Sequence, residues 1–243
     1  MKRREFVKKG SMLLAGGACT SKLSLMLIAG KFTAAKADAT GSSTQRKYGM
    51  VINLNKCLSD CTACLDACRK ENNVAFHHDK RWDIHRIRKV KVKRKHSKNA
   101  KEKPVLLLCN HCDHPPCAQA CPVNATFKRD DGIVLVDHHR CVGCRYCMIA
   151  CPYNARHFNY KENHDWPNKE QPKRSHGVPE SCTFCVHRLD TGKKPACVEA
   201  SRGAIAFGDL NDPNSIVRRL LSSIFTVRRK ASLGTEPSVF YIL

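Results

Sequence analysis

The chain has 243 residues, enough for one or two small domains, and sixteen of them are cysteine. A cysteine content this high restricts the protein to a disulfide-bonded scaffold, a zinc protein or a protein that binds metal clusters. Long aliphatic segments are scarce beyond the N-terminus, so the interior needs covalent or metal cross-links as well as a hydrophobic core. The formal net charge of +22 would also suit a nucleic-acid-binding protein.

The N-terminus has the features of an export signal. A twin-arginine motif is matched by Arg3, Arg4, Phe6 and Lys8. The weakly apolar segment that follows, residues 12–29, contains Lys22, and a lysine at a bilayer centre costs about 3 kcal/mol, which disfavours a permanent membrane span. We therefore predict a signal peptide over residues 1–39. The alternatives are an ordinary amphipathic helix and a lipoprotein modified at Cys19.

The other fifteen cysteines form four groups of similar spacing. These groups are Cys57, Cys61, Cys64 and Cys68; Cys109, Cys112, Cys117 and Cys121; Cys141, Cys144, Cys147 and Cys151; and Cys182, Cys185 and Cys197 followed by Ser201. The third group has the C-x2-C-x2-C-x3-C-P spacing of bacterial ferredoxins, in which three thiolates hold one cubane cluster and the fourth binds another. A zinc site needs two C-x2-C pairs and does not require this register.

The groups are copies of an internal repeat. Each copy has an alanine before its last member, namely Ala67, Ala120, Ala150 and Ala200. The second and third copies continue as Cys-Pro-x-Asn-Ala. The repeat aligns Ser201 with the fourth cysteine of the other groups, and because neither disulfides nor zinc sites demand such repeated spacing, we favour iron–sulfur clusters.

Local patterns between the groups predict a few elements. Residues 126–128 and 133–136 flank Asp131-Gly132, which predicts a β-hairpin, and short helices are expected beside the Cys-Pro pairs. The basic residues 86–103 form either a solvated hairpin or a docking face for an acidic cytochrome or subunit. Residues 161–178 read as a surface loop. Several histidines lie near the cysteine groups, and we interpret them as turn and surface residues. They are His77, His78, His111, His114, His138 and His139.

The segment Cys109-Asn-His-Cys-Asp-His-Pro-Pro-Cys117, followed by Cys121-Pro122, resembles the four-cluster iron–sulfur subunits that accompany molybdopterin enzymes and polysulfide-reductase-type complexes. The extra residue between Cys57 and Cys61, together with residues 139–148, 207–213 and 228–241, is similar to the DsrO-type periplasmic subunits of the sulfite-reduction-associated DsrMKJOP complex. The resemblance implies an α+β fold of two interleaved bacterial-ferredoxin-like units over residues 46–210, with a C-terminal tail over residues 211–243.

The resemblance also implies a function. The protein would be an electron-transfer subunit without its own substrate site. It would relay electrons between a quinone-interacting integral-membrane subunit and a multihaem cytochrome c or other partner. The alternative is a subunit of a molybdopterin oxidoreductase of the dimethyl sulfoxide, polysulfide or nitrite reductase type. The protein would be periplasmic and would associate with the membrane through its partners.

The resemblance implies, finally, how the four groups share ligands. Cys57, Cys61 and Cys64 would take their fourth ligand from position 201, and Cys182, Cys185 and Cys197 from Cys68. Cys141, Cys144 and Cys147 would take Cys121, while Cys109, Cys112 and Cys117 would take Cys151. Three sites would hold [4Fe–4S] clusters, and the site beside Ser201 a [4Fe–4S] or, as we favour, a [3Fe–4S] cluster. Each [4Fe–4S]²⁺ site carries about −2, so loading offsets much of the positive charge, and we expect no nucleic-acid binding.

Overall fold

The structure is a computed structural model that describes residues 45–79, 81–93, 95 and 101–243. The expected signal peptide and its cleavage site lie outside these residues. Within them the fold is mixed α/β, with short helices and four small sheets. The strands are β1 (Tyr48–Asn53), β2 (Ile87–Val92), β3 (Lys103–Leu108), β4 (Thr126–Lys128), β5 (Val134–Val136), β6 (His157–Phe158), β7 (Pro179–Glu180), β8 (Ile205–Asp209) and β9 (Val239–Ile242). The helices are α1 (Ala63–Glu71), α2 (Pro116–Gln119), α3 (Tyr146–Ala150), α4 (Val186–Leu189), α5 (Ala196–Ala200) and α6 (Ile216–Ser223).

The largest sheet has the strand order β8-β1-β9. β1 pairs antiparallel with β8 and parallel with β9, with Met50 opposite Val239. Both faces of β1 are buried, as expected for a central strand whose apolar residues run consecutively. One face contacts the cysteine-lined core through Met50, and the other packs on Val217 of α6 through Val51. The four residues of β9 are all buried, so this strand is part of the core.

Two hairpins confirm the local predictions. β4 and β5 pair antiparallel, with Thr126 opposite Val136, and Gly132 in the turn has a φ of 83°, which suits glycine. β2 and β3 pair over the basic segment. Leu106 and Leu108 of β3 point into the core, while the last residues of β2 are exposed.

The helices lie where the Cys-Pro pairs predict them. α2 and α3 end just before Cys121-Pro122 and Cys151-Pro152. α1 packs against α5, and α2 packs against α3, so the helices of the first and fourth cysteine groups meet, as do those of the second and third. No helix in the described part of the chain is long and apolar enough to cross a membrane.

The segment predicted as a surface loop, residues 161–178, contains no helix or strand. It is nevertheless fixed to the end of α1 by the buried Asn73. The Asn73 side-chain amide donates to the carbonyls of Asn168 at 2.9 Å and Gln171 at 3.2 Å, and its Oδ1 accepts from the Asn168 amide at 2.9 Å. These bonds give the loop a defined path despite its polar sequence.

Candidate cluster-binding centres

Ten of the fifteen cysteines from Cys57 onward are buried. Thiols are exposed only at Cys61 and Cys144 in the part of the chain that the structure describes, and none of the fifteen forms a disulfide. In each repeat the third and fourth positions are four residues apart on or beside a short helix, so they lie about one helical turn apart on the same side. This spacing allows one side chain to face its own loop and the other to face the adjacent site.

The second group surrounds a cavity together with one cysteine of the third. The cavity is lined by Cys109, Cys112, Cys117 and Cys151, with Val134, Tyr153 and Arg156 among its other walls. These four thiols are the set that the resemblance assigns to one cluster. Burial raises the pKa of Cys109 to about 12 and that of Cys112 to about 11. A metal that binds here must displace these protons, so binding would be coupled to proton release.

Cys68 lies with the fourth group. Burial raises the pKa of Cys197 well above its ordinary value, and the neighbouring thiols of Cys182, Cys68 and Cys185 raise it further. The Asn72 side chain donates to the sulfur of Cys185 at 3.5 Å and approaches that of Cys68 at 3.8 Å. The structure therefore places Cys68 with the three thiols with which the resemblance pairs it.

The first group shares a cavity with Ser201. Its lining includes Cys57, Cys61 and Cys64, and also Ser201 and Arg202. The Ser201 hydroxyl donates to the Val198 carbonyl at 2.7 Å and accepts from the Ile205 amide at 3.1 Å. Ser201 therefore lines the cavity, but its hydroxyl is hydrogen-bonded to the backbone at the end of α5. Iron ligation by this oxygen would require loss of its proton and of the bond to Val198.

The third group adjoins the second, because α3 packs against α2. Cys141 and Cys117 are both neighbours of Cys147. The sulfur of Cys121 accepts from the Thr126 amide at 3.4 Å. Burial alone would raise the pKa of Cys121, but backbone donors of Thr126, Val123 and Ala125 lower it, and the net pKa lies below the ordinary value. Its grouping with Cys141, Cys144 and Cys147 rests on the family resemblance.

Neighbouring groups lie side by side in a fixed order. α1 of the first group packs against α5 of the fourth, the His111 ring of the second lies 3.7 Å from the Phe184 ring of the fourth, and α2 of the second packs against α3 of the third. The two exposed thiols, Cys61 and Cys144, belong to the first and last groups of this series. The arrangement is a linear path whose two ends reach the surface.

His111 corrects one prediction from the sequence. We expected it at a turn or on the surface, but it is fully buried in the loop between Cys109 and Cys112. Its ring lies 3.7 Å, centroid to centroid, from Phe184 in the loop between Cys182 and Cys185, and its Nδ1 accepts from the Val134 amide at 3.0 Å. Burial, reinforced by Arg156, lowers its pKa to about 3, which keeps the ring neutral. The contact between His111 and Phe184 joins the loops of the second and fourth cysteine groups.

Three arginines lie beside the thiols; Arg86 and Arg156 are buried and Arg174 is half-buried. Arg86 pairs with Glu180 at 2.5 Å, Arg174 lies 4.0 Å from the same carboxylate, and Arg156 donates to the sulfur of Cys117 at 3.2 Å. Arg86 is the first residue of the segment predicted to be solvated, and its burial corrects that prediction for this residue. Three guanidinium groups against one carboxylate leave an excess of buried positive charge. That excess fits cofactors that are themselves anionic.

The thiols line cavities and do not converge on a single position. Within residues 45–79, 81–93, 95 and 101–243, no three cysteine, histidine or carboxylate side chains converge closely enough to hold a single metal ion. Four thiols around a cavity suit the separated corners of a cubane. The donor set, the cavities and the buried cations therefore fit clusters at the positions that the motifs predict.

Sequence reasoning missed the residues between the groups, namely Asn72, Arg86, Arg156, Arg174 and Phe184. Two of them carry a usable signal. Phe184 lies inside a Cys-x2-Cys loop, as does His111, and Arg156 follows the repeated Cys-Pro-x-Asn-Ala directly, where the other copy has Thr126. The remaining three stand outside every motif, and only folding places them beside the thiols.

Comparison with known proteins adds independent information. A family model described as a 4Fe-4S dicluster domain matches residues 103–210, which contain the second, third and fourth groups. The chain is 41% identical over 268 aligned positions to the Hdr-like menaquinol oxidoreductase iron-sulfur subunit 1 of Archaeoglobus fulgidus, covering 99% of this chain and 97% of that protein. It is 37% identical to a tetrathionate reductase subunit of Salmonella typhimurium, covering 99% and 87%. Identity to a polysulfide reductase component of Wolinella succinogenes is 35%, covering 81% and 94%.

Proposed function

The protein belongs to the family of iron–sulfur electron-transfer subunits of oxidoreductase complexes, and from that membership we propose that it holds four clusters and passes electrons along them between two partner proteins. As such a subunit it has no catalytic site of its own. When bound, clusters of this kind accept and donate single electrons. The protein supplies their ligands, their spacing and their electrostatic surroundings.

One observation carries this proposal: the thiol groups form a single series that is buried in the middle and exposed at both ends. Cys61 and Cys144 are exposed, whereas the thiols of the second and fourth groups are buried or half-buried. A relay requires entry and exit at the surface and insulation between them. An enzyme active site would instead present one opening to solvent.

We assign the ligand sets as the resemblance implies them, and the helix packing supports the assignment. Contact between α1 and α5 places the first and fourth groups side by side, and contact between α2 and α3 does the same for the second and third. Two ferredoxin-like units interleaved in this way would each exchange their fourth ligands. The structure supports the exchange most directly for Cys68 and Cys151.

For the site beside Ser201 we propose a [3Fe–4S] core. The serine hydroxyl already bonds to Val198 and Ile205, so a fourth iron at this corner would have no thiolate and no free hydroxyl from this residue. The other three sites are assigned [4Fe–4S] clusters. The ferredoxin-like body would span residues 46–210 and the tail residues 211–243.

We propose that the complex is of the DsrMKJOP type, with a quinone-interacting membrane subunit at one end of the relay and a cytochrome or other partner at the other. A relative named as a menaquinol oxidoreductase subunit, aligned over nearly the whole chain, supports the quinone link. The alternative is a molybdopterin oxidoreductase, and relatives named as parts of tetrathionate and polysulfide reductases favour it. Export by the twin-arginine route would place the protein in the periplasm. The basic hairpin β2–β3 would be one docking face.

Metal analysis tests the central proposal. The protein purified under anaerobic conditions should contain roughly fifteen or sixteen iron atoms and a similar amount of acid-labile sulfide, at about four per cubane. Stoichiometric zinc with little sulfide would overturn it. Purification of the complex from its native membranes, followed by molybdenum and haem c analysis, would then separate the two complexes, because only the second contains a molybdopterin subunit.

A further inference from the structure

Arg156 is a buried cation between the second and third cysteine groups. It follows Ala155 in the turn after Cys151-Pro152, and only 4% of its surface is exposed. One guanidinium nitrogen donates to the sulfur of Cys117 at 3.2 Å and the other to the hydroxyl of Thr126 at 3.4 Å. Its Nε is buried without a hydrogen-bond partner among the described residues.

No carboxylate neutralises this charge. Among the ion pairs within the described residues, Arg86 and Arg174 share Glu180, but none includes Arg156. Arginine does not lose its proton in proteins, so an isolated buried guanidinium is strongly unfavourable. The groups that favour its charged form are thiols: burial lowers the pKa of Arg156, but Cys117, Cys109 and Cys147 raise it further than burial lowers it. These thiols come from two different groups.

We propose that Arg156 is a shared counter-charge for the second and third clusters and that it raises the reduction potential of both. The inference rests on the proposed function. Reduction adds a negative charge to a cluster, and a nearby cation that donates to a ligand sulfur stabilises the reduced form more than the oxidised form. Arg156 is a positioning residue here, since it acts on the clusters through their ligands.

Only one of the two copies of the Cys-Pro-x-Asn-Ala repeat is followed by an arginine. Thr126 occupies the equivalent position after the other Cys-Pro-x-Asn-Ala segment, and the two equivalent residues contact each other. One guanidinium thus lies where two symmetric copies meet. The fourth group has a different arrangement, in which Arg86 and Arg174 share the Glu180 carboxylate and, among the described residues, neither donates to a cysteine sulfur. Removal of the Arg156 charge should therefore shift the potentials of the second and third clusters more than those of the other two.

Redox titration followed by electron paramagnetic resonance tests the proposal in the loaded, full-length protein. Arg156→Gln removes the charge but keeps an amide donor, and Arg156→Lys keeps the charge without the planar fork. Arg81→Gln is the charge-matched control, because Arg81 is a solvent-exposed arginine that pairs with Asp79. In Arg156→Gln, two of the four midpoint potentials should fall, while Arg156→Lys and Arg81→Gln stay close to the unaltered protein. The shift should persist at high salt, which screens exposed charges far more than buried ones.

The outcomes are separable from those of the proposed function. Iron and sulfide analysis of the unaltered protein decides whether clusters are present at all. If Arg156→Gln loses iron while Arg156→Lys keeps it, the charge is needed for assembly, and the counter-charge is supported. Unchanged potentials in a fully loaded Arg156→Gln protein would overturn the inference. Equal iron loss in Arg156→Gln and Arg156→Lys would also overturn it, since shape rather than charge would then be the requirement.

Discussion

Arg86 and Glu180 form a buried ion pair that joins the residue before β2 to β7. The carboxylate accepts two bonds from the guanidinium, at 2.5 and 3.0 Å, and Arg86 also donates to Asn72 at 3.0 Å. Asn72 in turn donates to the sulfur of Cys185. The pair therefore supports the fourth cysteine group through one intermediate side chain.

Glu180→Gln should destabilise the protein by about 3–5 kcal/mol, because it leaves a buried guanidinium without its anion. Chemical denaturation under anaerobic conditions measures the effect. Glu199→Gln is the matched control: Glu199 pairs with Arg188 at a half-exposed position, where an ion pair contributes about 0.2–1 kcal/mol. Equal destabilisation by the two substitutions would contradict the role assigned to Glu180.

Ser201→Cys should convert the first site to a four-iron cluster. A thiolate replaces a hydroxyl that is bonded to Val198. An oxidised three-iron core is paramagnetic and an oxidised four-iron core is silent, so the resonance signal of the oxidised protein should disappear and the iron content should rise by about one atom. Ser222→Cys, on the exposed side of α6, should change neither. If the oxidised, unaltered protein gives no resonance signal and holds its full complement of iron, the first cluster already has four irons.

The sequence predicts some of the site residues well and others not at all. The cysteines are predictable because their spacing repeats and because metal ligation restricts both residue type and register. Arg156 and His111 are not, since a lone arginine or histidine in a basic protein is normally a surface residue. Their burial depends on two loops that approach each other only after folding.

At the level of elements, β9 shows how strongly the C-terminus is integrated. Its four residues are buried, it pairs with β1, and the Tyr241 hydroxyl donates to the Leu106 carbonyl at 2.9 Å. Each buried apolar side chain contributes about 1.5–3 kcal/mol, and the sum over the strand is comparable to the whole stability of a domain.

Deletion of residues 239–243 should therefore abolish soluble, iron-containing protein. Recovery in the soluble fraction and iron content per molecule are the measurements. Removal of Leu243 alone, which is exposed, should be tolerated, although it deletes a carbonyl that accepts from Asn55 at 2.7 Å. Full iron content in the five-residue deletion would show that β9 is dispensable.

The hairpins and β9 differ in what sequence can predict. The β4–β5 hairpin is encoded locally by Asp131-Gly132 between two short apolar runs, and the partner strands are adjacent in the chain. β9 is an equally apolar run, but its partner β1 lies nearly the whole chain away. Sequence patterns report the period and polarity of a segment. They do not report which distant edge the segment occupies.

For the whole molecule, folding should depend on the clusters. Ten of the described cysteines are buried, and several of them line cavities that the surrounding side chains leave open. Iron chelation under mild denaturant should unfold the chain in one cooperative step, because metal binding supplies folding energy. Circular dichroism and limited proteolysis measure it, with chelator plus excess ferrous iron as the control. An iron-free protein with the same dichroism and protease resistance would contradict this.

Export should depend on the arginine pair at positions 3 and 4. Replacing both with lysine keeps the charge but removes the motif, so the protein should remain in the cytoplasm with its clusters intact. Fractionation and iron analysis of each fraction measure this. Replacement of Lys8 and Lys9 by arginine is the control. Normal periplasmic accumulation of the double-lysine variant would refute the twin-arginine route.

The position of β1 in the middle of its sheet sets the time at which this protein can fold. β1 is made among the first strands, but both of its neighbours, β8 and β9, are made last. At synthesis rates of about 5–20 residues per second, the ribosome takes roughly 10–40 s to travel from one to the other. Through that interval the apolar strand has no partner. The central sheet closes only after β9 has left the ribosome, so β1 stays exposed to aggregation during most of translation.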